Sequence, residues 1–198
     1  MSVSAGSLAE QKNALRRHVL AKRAAMSVQD RVEQSLALVA HLDALLLPDG
    51  AIVAGFWPIR DEIDPRPLLD GLRKSGHRLC LPIVADPHLL FREFGPDTAF
   101  ESAGFGTMGP SADAPQVYPD VLLMPLAGFD SHGNRLGYGK GHYDTAIAAL
   151  KKKSQLLCIG IAFSIQELDH VPAEPHDEVL DGILTEQGYR RFGPDEVL

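Results

Sequence analysis

The sequence predicts an α/β protein: a mostly parallel sheet flanked by helices on both faces, with two helices ahead of the first strand. Three observations carry this. Short apolar runs bounded by Gly, Pro and Asp read as buried strands. Stretches with helical spacing lie between them, and strands that alternate with helices make parallel sheets. Finally, only helical spacing occurs before Pro48.

In Gln11 to Met26 the residues Ala14, Leu15, Val19 and Ala21 recur at helical spacing among Lys12, Arg16, Arg17, Lys22 and Arg23. Ser27, with Asp30 three residues on, caps a second helix that runs to about Leu47. Pro48, Asp49 and Gly50 end it. Residues 51–57 read as a buried strand, and Asp64 with Pro65 opens a helix through Leu68, Leu69 and Leu72. Residues 79–84 and 89–94 read as strands. The stretch 95–119, rich in Gly, Pro and Asp, reads as a long irregular connection or a short strand pair. A strand over 121–124, a helix over 143–153, and strands over 156–162 and 182–185 complete the pattern. No repeat divides the chain, so residues 1–198 are expected to form one domain.

The chain carries 19 Lys and Arg against 26 Asp and Glu, a formal charge of -7. This balance opposes nucleic-acid binding, which needs basic surface to neutralise phosphates. Cys80 and Cys158 lie far apart in apolar stretches and make neither a C-x-x-C pair nor a zinc spacing. No apolar run reaches the length of a membrane span. Residues 1–10 lack the basic-then-apolar order of a signal peptide. A cytoplasmic protein without a membrane partner is expected by default, and the acidic surface suits a monomer.

The chemistry concentrates in Met124 to Asp144. A strand runs into glycines at 137, 139 and 141, and a helix starts just beyond. Glycine lets a backbone approach a ligand closely, and a helix N-terminus favours phosphate. Arg135 and Lys140 add two cations. The segment is no Walker loop, because Gly141 stands where Ser or Thr would hold magnesium. It is no dinucleotide fingerprint either, since the glycines alternate as G-x-G-x-G. An ordinary glycine-rich turn with solvated cations would also satisfy the residues. Asp144 suits either a first-turn helix acid or a magnesium ligand. Asp177 suits an exposed loop acid or the second carboxylate of such a site.

Pro125, Phe129-Asp130, Gly133, Arg135-Leu136-Gly137 and Gly139-Lys140-Gly141, followed by Tyr143-Asp144, resemble the signature of the 5-formyltetrahydrofolate cyclo-ligases. These enzymes are also called 5,10-methenyltetrahydrofolate synthetases. Lys12 and Leu15-Arg16 resemble the family's N-terminal helix, residues 57–64 its folate-contacting strand end, and His176-Asp177 its late His-Asp. His142 departs from the pattern, which usually has an aromatic residue there. The stretch 95–119 matches nothing in it.

The resemblance implies a Rossmann-like sheet of the sugar-phosphate isomerase and coenzyme A transferase type. It implies ATP- and Mg²⁺-dependent cyclisation of 5-formyltetrahydrofolate. The formyl oxygen attacks the γ-phosphate, the neighbouring folate nitrogen closes on the activated carbon, and phosphate departs. Arg135, Lys140 and Tyr143 are then the expected catalytic residues. ATP is expected at Lys12, Arg16, Arg135, Leu136, Gly137, Tyr138, Gly139, Lys140, Gly141 and His142. Folate is expected at Trp57, Glu62, Tyr138 and His142, and Mg²⁺ at Asp144 and Asp177. For Trp57 and Tyr143, plain core packing is the competing role. Two other functions compete: a non-catalytic nucleotide- or folate-binding regulator, and a sugar-phosphate or coenzyme A enzyme on the same scaffold.

Overall fold

A computed structural model describes residues 7–85, 88–104, 107–174 and 177–193. Helix α1 spans Leu8–Ala24. It starts earlier than its apolar spacing indicates, because Ser7 and Glu10 form a capping box that closes a polar first turn. Helix α2, Val28–Ala37, is capped by Ser27, whose Oγ accepts the Asp30 N–H at 3.0 Å. Beyond it the chain tightens into a 3-10 segment, Leu38–Leu45, instead of continuing as α-helix to Leu47. An eight-residue, mostly apolar segment satisfies the same sequence pattern at either pitch, so spacing does not separate them.

Strand β1 is short, Ile52–Ala54, followed by helix α3 over Arg66–Lys74 and strand β2 over Arg78–Ala85. The Asp64 carboxylate accepts the Arg66 N–H at 3.0 Å, fixing the start of α3. Strand β3, His88–Phe94, runs antiparallel to β2. The stretch read as an irregular connection or a short strand pair contains a strand pair, the hairpin of β4, Phe100–Gly104, and β5, Thr107–Pro110, then the short β6, Gln116–Val117. Strand β7 is Val121–Pro125. A small hairpin of β8, Gly128–Phe129, and β9, Arg135–Leu136, comes next. Helix α4, His142–Lys151, strand β10, Leu157–Ile161, and strand β11, Gly182–Thr185, follow. Strand β12, Gly188–Arg191, returns antiparallel on β11 and had no apolar run to announce it.

The main sheet has the order β12-β11-β10-β7-β1-β2-β3-β6, with β11, β10, β7, β1 and β2 parallel. Alternation along each strand divides two cores. Val53, Leu79, Val121, Leu123, Ile159 and Leu184 face Leu68, Leu69 and Leu72 of α3 and Leu38 and Leu45 of the 3-10 segment. Ala54, Cys80, Leu122, Met124, Cys158 and Ile183 face Ala146, Ile147 and Leu150 of α4. Strands buried on both sides read as unbroken apolar runs for this reason. Both cysteines are buried free thiols in the second core. Burial pushes the Cys158 thiol up to about 12, which suits packing and not reactivity.

The connection through α3 leaves β1 in one direction, and the connection through α4 leaves β7 in the other. The strand order therefore reverses between β1 and β7, and a crevice opens at their carboxyl ends.

In the β8–β9 turn, Gly133 has φ +83°, and an added Cβ would lie 2.9 Å from the Leu180 carbonyl oxygen. Gly133→Ala is expected to cost about 1–3 kcal/mol through positive φ and this backbone clash. Urea unfolding should show a lower midpoint at an unchanged slope.

Candidate active site

The crevice lies where the carboxyl ends of β1, β7 and β10 meet. Arg23, Phe56, Glu62, Pro125, Leu126 and Gln166 line it, so closely that the cleft between them has no water-sized space. The buried Gln166 ties the strand ends together, its Nε2 donating to the carbonyls of Leu126 at 2.8 Å and Ala127 at 3.0 Å. Helix α1 packs on the 3-10 turn Ser164–Gln166 that follows β10.

The β8–β9 hairpin carries the glycine loop, and Asp130 sets its shape. Its fully buried carboxylate accepts the N–H groups of His132, Asn134 and Val171 at 2.9–3.0 Å and the Asn134 side-chain amide. Burial alone would push this carboxyl up. The Asn134 amide and the three backbone donors outweigh it and hold it below the usual carboxylate range. Leu136 is buried with Ala127 and Val171, against Leu15 and Leu20 of α1. Its side chain is thus core, and only its backbone stands at the loop.

Beyond Leu136 the loop opens. Gly139 and Gly141 have φ of +90° and +68°, and Gly141 is the N-cap of α4. An added Cβ at Gly139 would meet nothing nearer than the Arg16 guanidinium at 3.7 Å. Arg16 Nε donates to the Gly137 carbonyl at 2.7 Å. Arg135 ion-pairs with Asp144, and among the described residues its buried Nε has no partner. Lys12 Nζ lies 2.6 Å from Asp177 and 3.0 Å from Glu174. The Glu178 N–H reaches Asp144 at 3.5 Å, so the segment carrying Asp177 backs on the first turn of α4. Lys140 is exposed on the loop, and His142 is the half-buried first residue of α4.

Tyr143 packs against the core around α4, and burial pushes its phenol well above the usual range. It therefore stays protonated and keeps its O–H donor. Glu62 is 9% exposed and accepts the Ile59 N–H at 2.9 Å. Burial pushes its carboxyl up, and the Tyr138 hydroxyl, the Ile59 N–H and the Arg23 charge only partly offset this.

Trp57 stands apart from Glu62. Its ring lies 5.7 Å from that of Phe100, under the Arg66 guanidinium at 5.1 Å. Together with Leu79, Leu81 and Phe94 these residues line a neighbouring cavity of about 270 Å³. The residue that sequence reasoning missed is Arg23. It is 3% exposed, with Nη1 2.8 Å from the Tyr138 hydroxyl and Nη2 2.9 Å from Asp61.

Among the described residues, no cluster of three or more His, Cys, Asp or Glu could hold a metal by itself. Asp144 ion-pairs with Arg135 and Asp177 with Lys12, and carboxylates of this kind suit Mg²⁺, an ion that draws its other ligands from phosphates and water. Among the described residues no helix is long and apolar enough to cross a membrane.

Fold and geometry together define a class: an α/β protein with a mostly parallel sheet, a crevice at its topological switch point and cations beside a glycine loop. Comparison with known proteins gives the family. The model of the 5-formyltetrahydrofolate cyclo-ligase family matches residues 8–186. A 5-formyltetrahydrofolate cyclo-ligase of Haemophilus influenzae is 30% identical over 164 residues, covering 79% of this chain and 87% of the relative. One from Mycoplasma pneumoniae is 31% identical over 180 residues, covering 89% and 99%. The NMR structure of a 5,10-methenyltetrahydrofolate synthetase from Aquifex aeolicus superposes with TM-score 0.76 at 29% identity, covering 94% of this chain and 95% of that one. The Mycoplasma pneumoniae synthetase structure gives 0.70 at 28% identity, covering 88% and 98%. The chain belongs to the 5-formyltetrahydrofolate cyclo-ligase family. It is an ATP-dependent ligase that converts 5-formyltetrahydrofolate to 5,10-methenyltetrahydrofolate. The regulator and the sugar-phosphate or coenzyme A readings fall away.

Asp130→Asn keeps the shape of the turn's anchor but replaces an acceptor by a donor that faces N–H groups. A loss of about 1–3 kcal/mol at neutral pH is expected. The carboxyl is held low in the folded state, so its contribution is complete above the unfolded pKa of about 4. It is lost as pH falls through the folded-state value. Wild type and variant should therefore converge in acid, as followed by urea unfolding across pH.

Proposed function

We propose that ATP lies along the glycine loop 137–141, with its phosphates met by Lys12, Arg16, Arg135 and Lys140, and that folate meets Glu62 at the crevice, which widens to admit it. One observation carries this reading: cations from α1 and from β9 gather at the open glycine loop. Arg16 bonds Gly137, and the Arg135 guanidinium would lie 3.9 Å from a Cβ added there. Asp144 and Asp177, each ion-paired to one of these cations, are the residues that would hold Mg²⁺. When bound, that ion neutralises phosphate oxygens. The buried Nε of Arg135, unpartnered among the described residues, offers a further donor to a phosphate.

The formyl oxygen of the substrate attacks the γ-phosphorus, and ADP leaves. N10 then closes on the activated carbon and loses its proton to solvent, and the C–O bond breaks to release phosphate. The protein's part is positioning and charge stabilisation. Arg135 and Lys140 stabilise the transferring phosphoryl group, and Tyr143 serves as a protonated donor. Glu62 accepts from the amino and ring N–H groups of the pterin, with Tyr138 and His142 beside it. Trp57, in the adjoining aromatic cavity, packs against the remainder of the folate. One main sheet with a core on each face supports a single domain, and the acidic surface suits a monomer. The buried thiols suit a reducing, cytoplasmic compartment.

Purified protein with 5-formyltetrahydrofolate, ATP and Mg²⁺ should yield the methenyl product by its near-ultraviolet absorbance, and omission of any one should abolish it. Arg135→Ala and Asp144→Asn are each expected to lower kcat/KM by roughly 10²-fold or more. Wild-type rates for Asp144→Asn at low Mg²⁺ would remove its role as a metal ligand.

A further inference from the structure

Helix α1 carries Lys12, Arg16 and Arg23 at spacings of four and seven, which places all three on one face. The first two reach the late acidic loop and the glycine loop. Arg23, in the last turn, is buried and reaches two further segments at once: Asp61 on the loop after β1 and Tyr138 on the glycine loop. A guanidinium spans two such partners because its donors are fixed in a planar fork. Its carbon lies 5.9 Å from the centre of the Tyr138 ring, and it lines the crevice together with Glu62.

We propose that Arg23 is a positioning residue for folate: it clamps the loop after β1 to the glycine loop and supplies the cation that faces Glu62. The inference rests on Glu62 being the carboxylate that receives the pterin. The charged and titratable groups facing Glu62 are Arg23 from α1, Asp61 from its own loop, Tyr138 from the glycine loop and Tyr143 from α4. Only Arg23 among them is a cation. A carboxylate must be ionised to accept from the pterin's donors, and burial works against that state. Arg23 works for it and Asp61 works against it. The two halves of one ion pair therefore have opposite effects on Glu62, although both hold the same loop in place.

The test compares the pH dependence of kcat/KM for 5-formyltetrahydrofolate, at saturating Mg²⁺-ATP, in wild type, Arg23→Gln, Asp61→Asn and Glu62→Gln. Arg23→Gln should move the acid limb to higher pH, with roughly tenfold lower kcat/KM on that limb. Asp61→Asn should move it to lower pH. Losses in both variants with unmoved limbs would overturn the inference and leave Arg23 as a brace. If Arg23→Gln does not fold, Asp61→Asn decides alone: a limb shifted down supports the inference, and an unmoved limb overturns it. Glu62→Gln separates the two readings. A limb that survives in this variant removes the role of Glu62 and the inference with it. A limb lost there but unmoved in the other variants removes only that of Arg23.

Discussion

The reversal of strand order between β1 and β7 is the constraint on which the site depends. The α3 crossover covers one face of the sheet and the α4 crossover the other, so neither closes the crevice between them. What covers it instead is α1, which comes from outside the alternating pattern. The loop after β1 brings Asp61 and Glu62 to the crevice, and the turn after β10 brings Gln166. The β8–β9 hairpin brings the glycine loop and Arg135. Residues distant in sequence meet because parallel strands all end at one edge.

Electrostatics at this edge run against the chain as a whole. The net charge is -7, yet Lys12, Arg16, Arg23, Arg135 and Lys140 gather around one loop. Several have acidic partners, which lowers the cost of assembling like charges in a partly buried place. Burial works against the Lys12 ammonium, but Asp177 and Glu174 outweigh it and raise its pKa above the ordinary value. A cation so held stays charged at neutral pH.

Much of this architecture was legible. Unbroken apolar runs at β2, β7 and β10 marked strands buried on both faces, and Pro48-Asp49-Gly50 marked the change from helices to sheet. The β8 and β9 strands are two residues long, too short for any periodicity. Strand β12, Gly-Tyr-Arg-Arg, has no apolar run because it is an edge strand. At the site, the glycine segment could be read from its residues alone, whereas Lys12, Arg16 and Glu62 stood out only through the family resemblance. Arg23 reads as a solvated cation in a helix's last turn, where cations are common. Its spacing from Lys12 and Arg16 was the available signal. The separation of Trp57 from Glu62 is set by which way the chain turns after β1, and no local pattern encodes that.

The apolar anchorage of α1 is slight. Val19 is its one fully buried apolar side chain, with Leu15 and Leu20 partly buried against the β8–β9 region. Its other buried residue is Arg23, and the rest of its attachment is polar: Lys12 to the acidic loop, Arg16 to Gly137, Arg23 to Tyr138 and Asp61. Elements with few buried apolar contacts lie at the low end of local stability. Docking of α1 therefore draws on the same side chains that form the site, and its polar face cannot be satisfied unless the glycine loop and the loop after β1 are both in place. Assembly of the glycine loop and of the loop after β1 is thus coupled through a single helix.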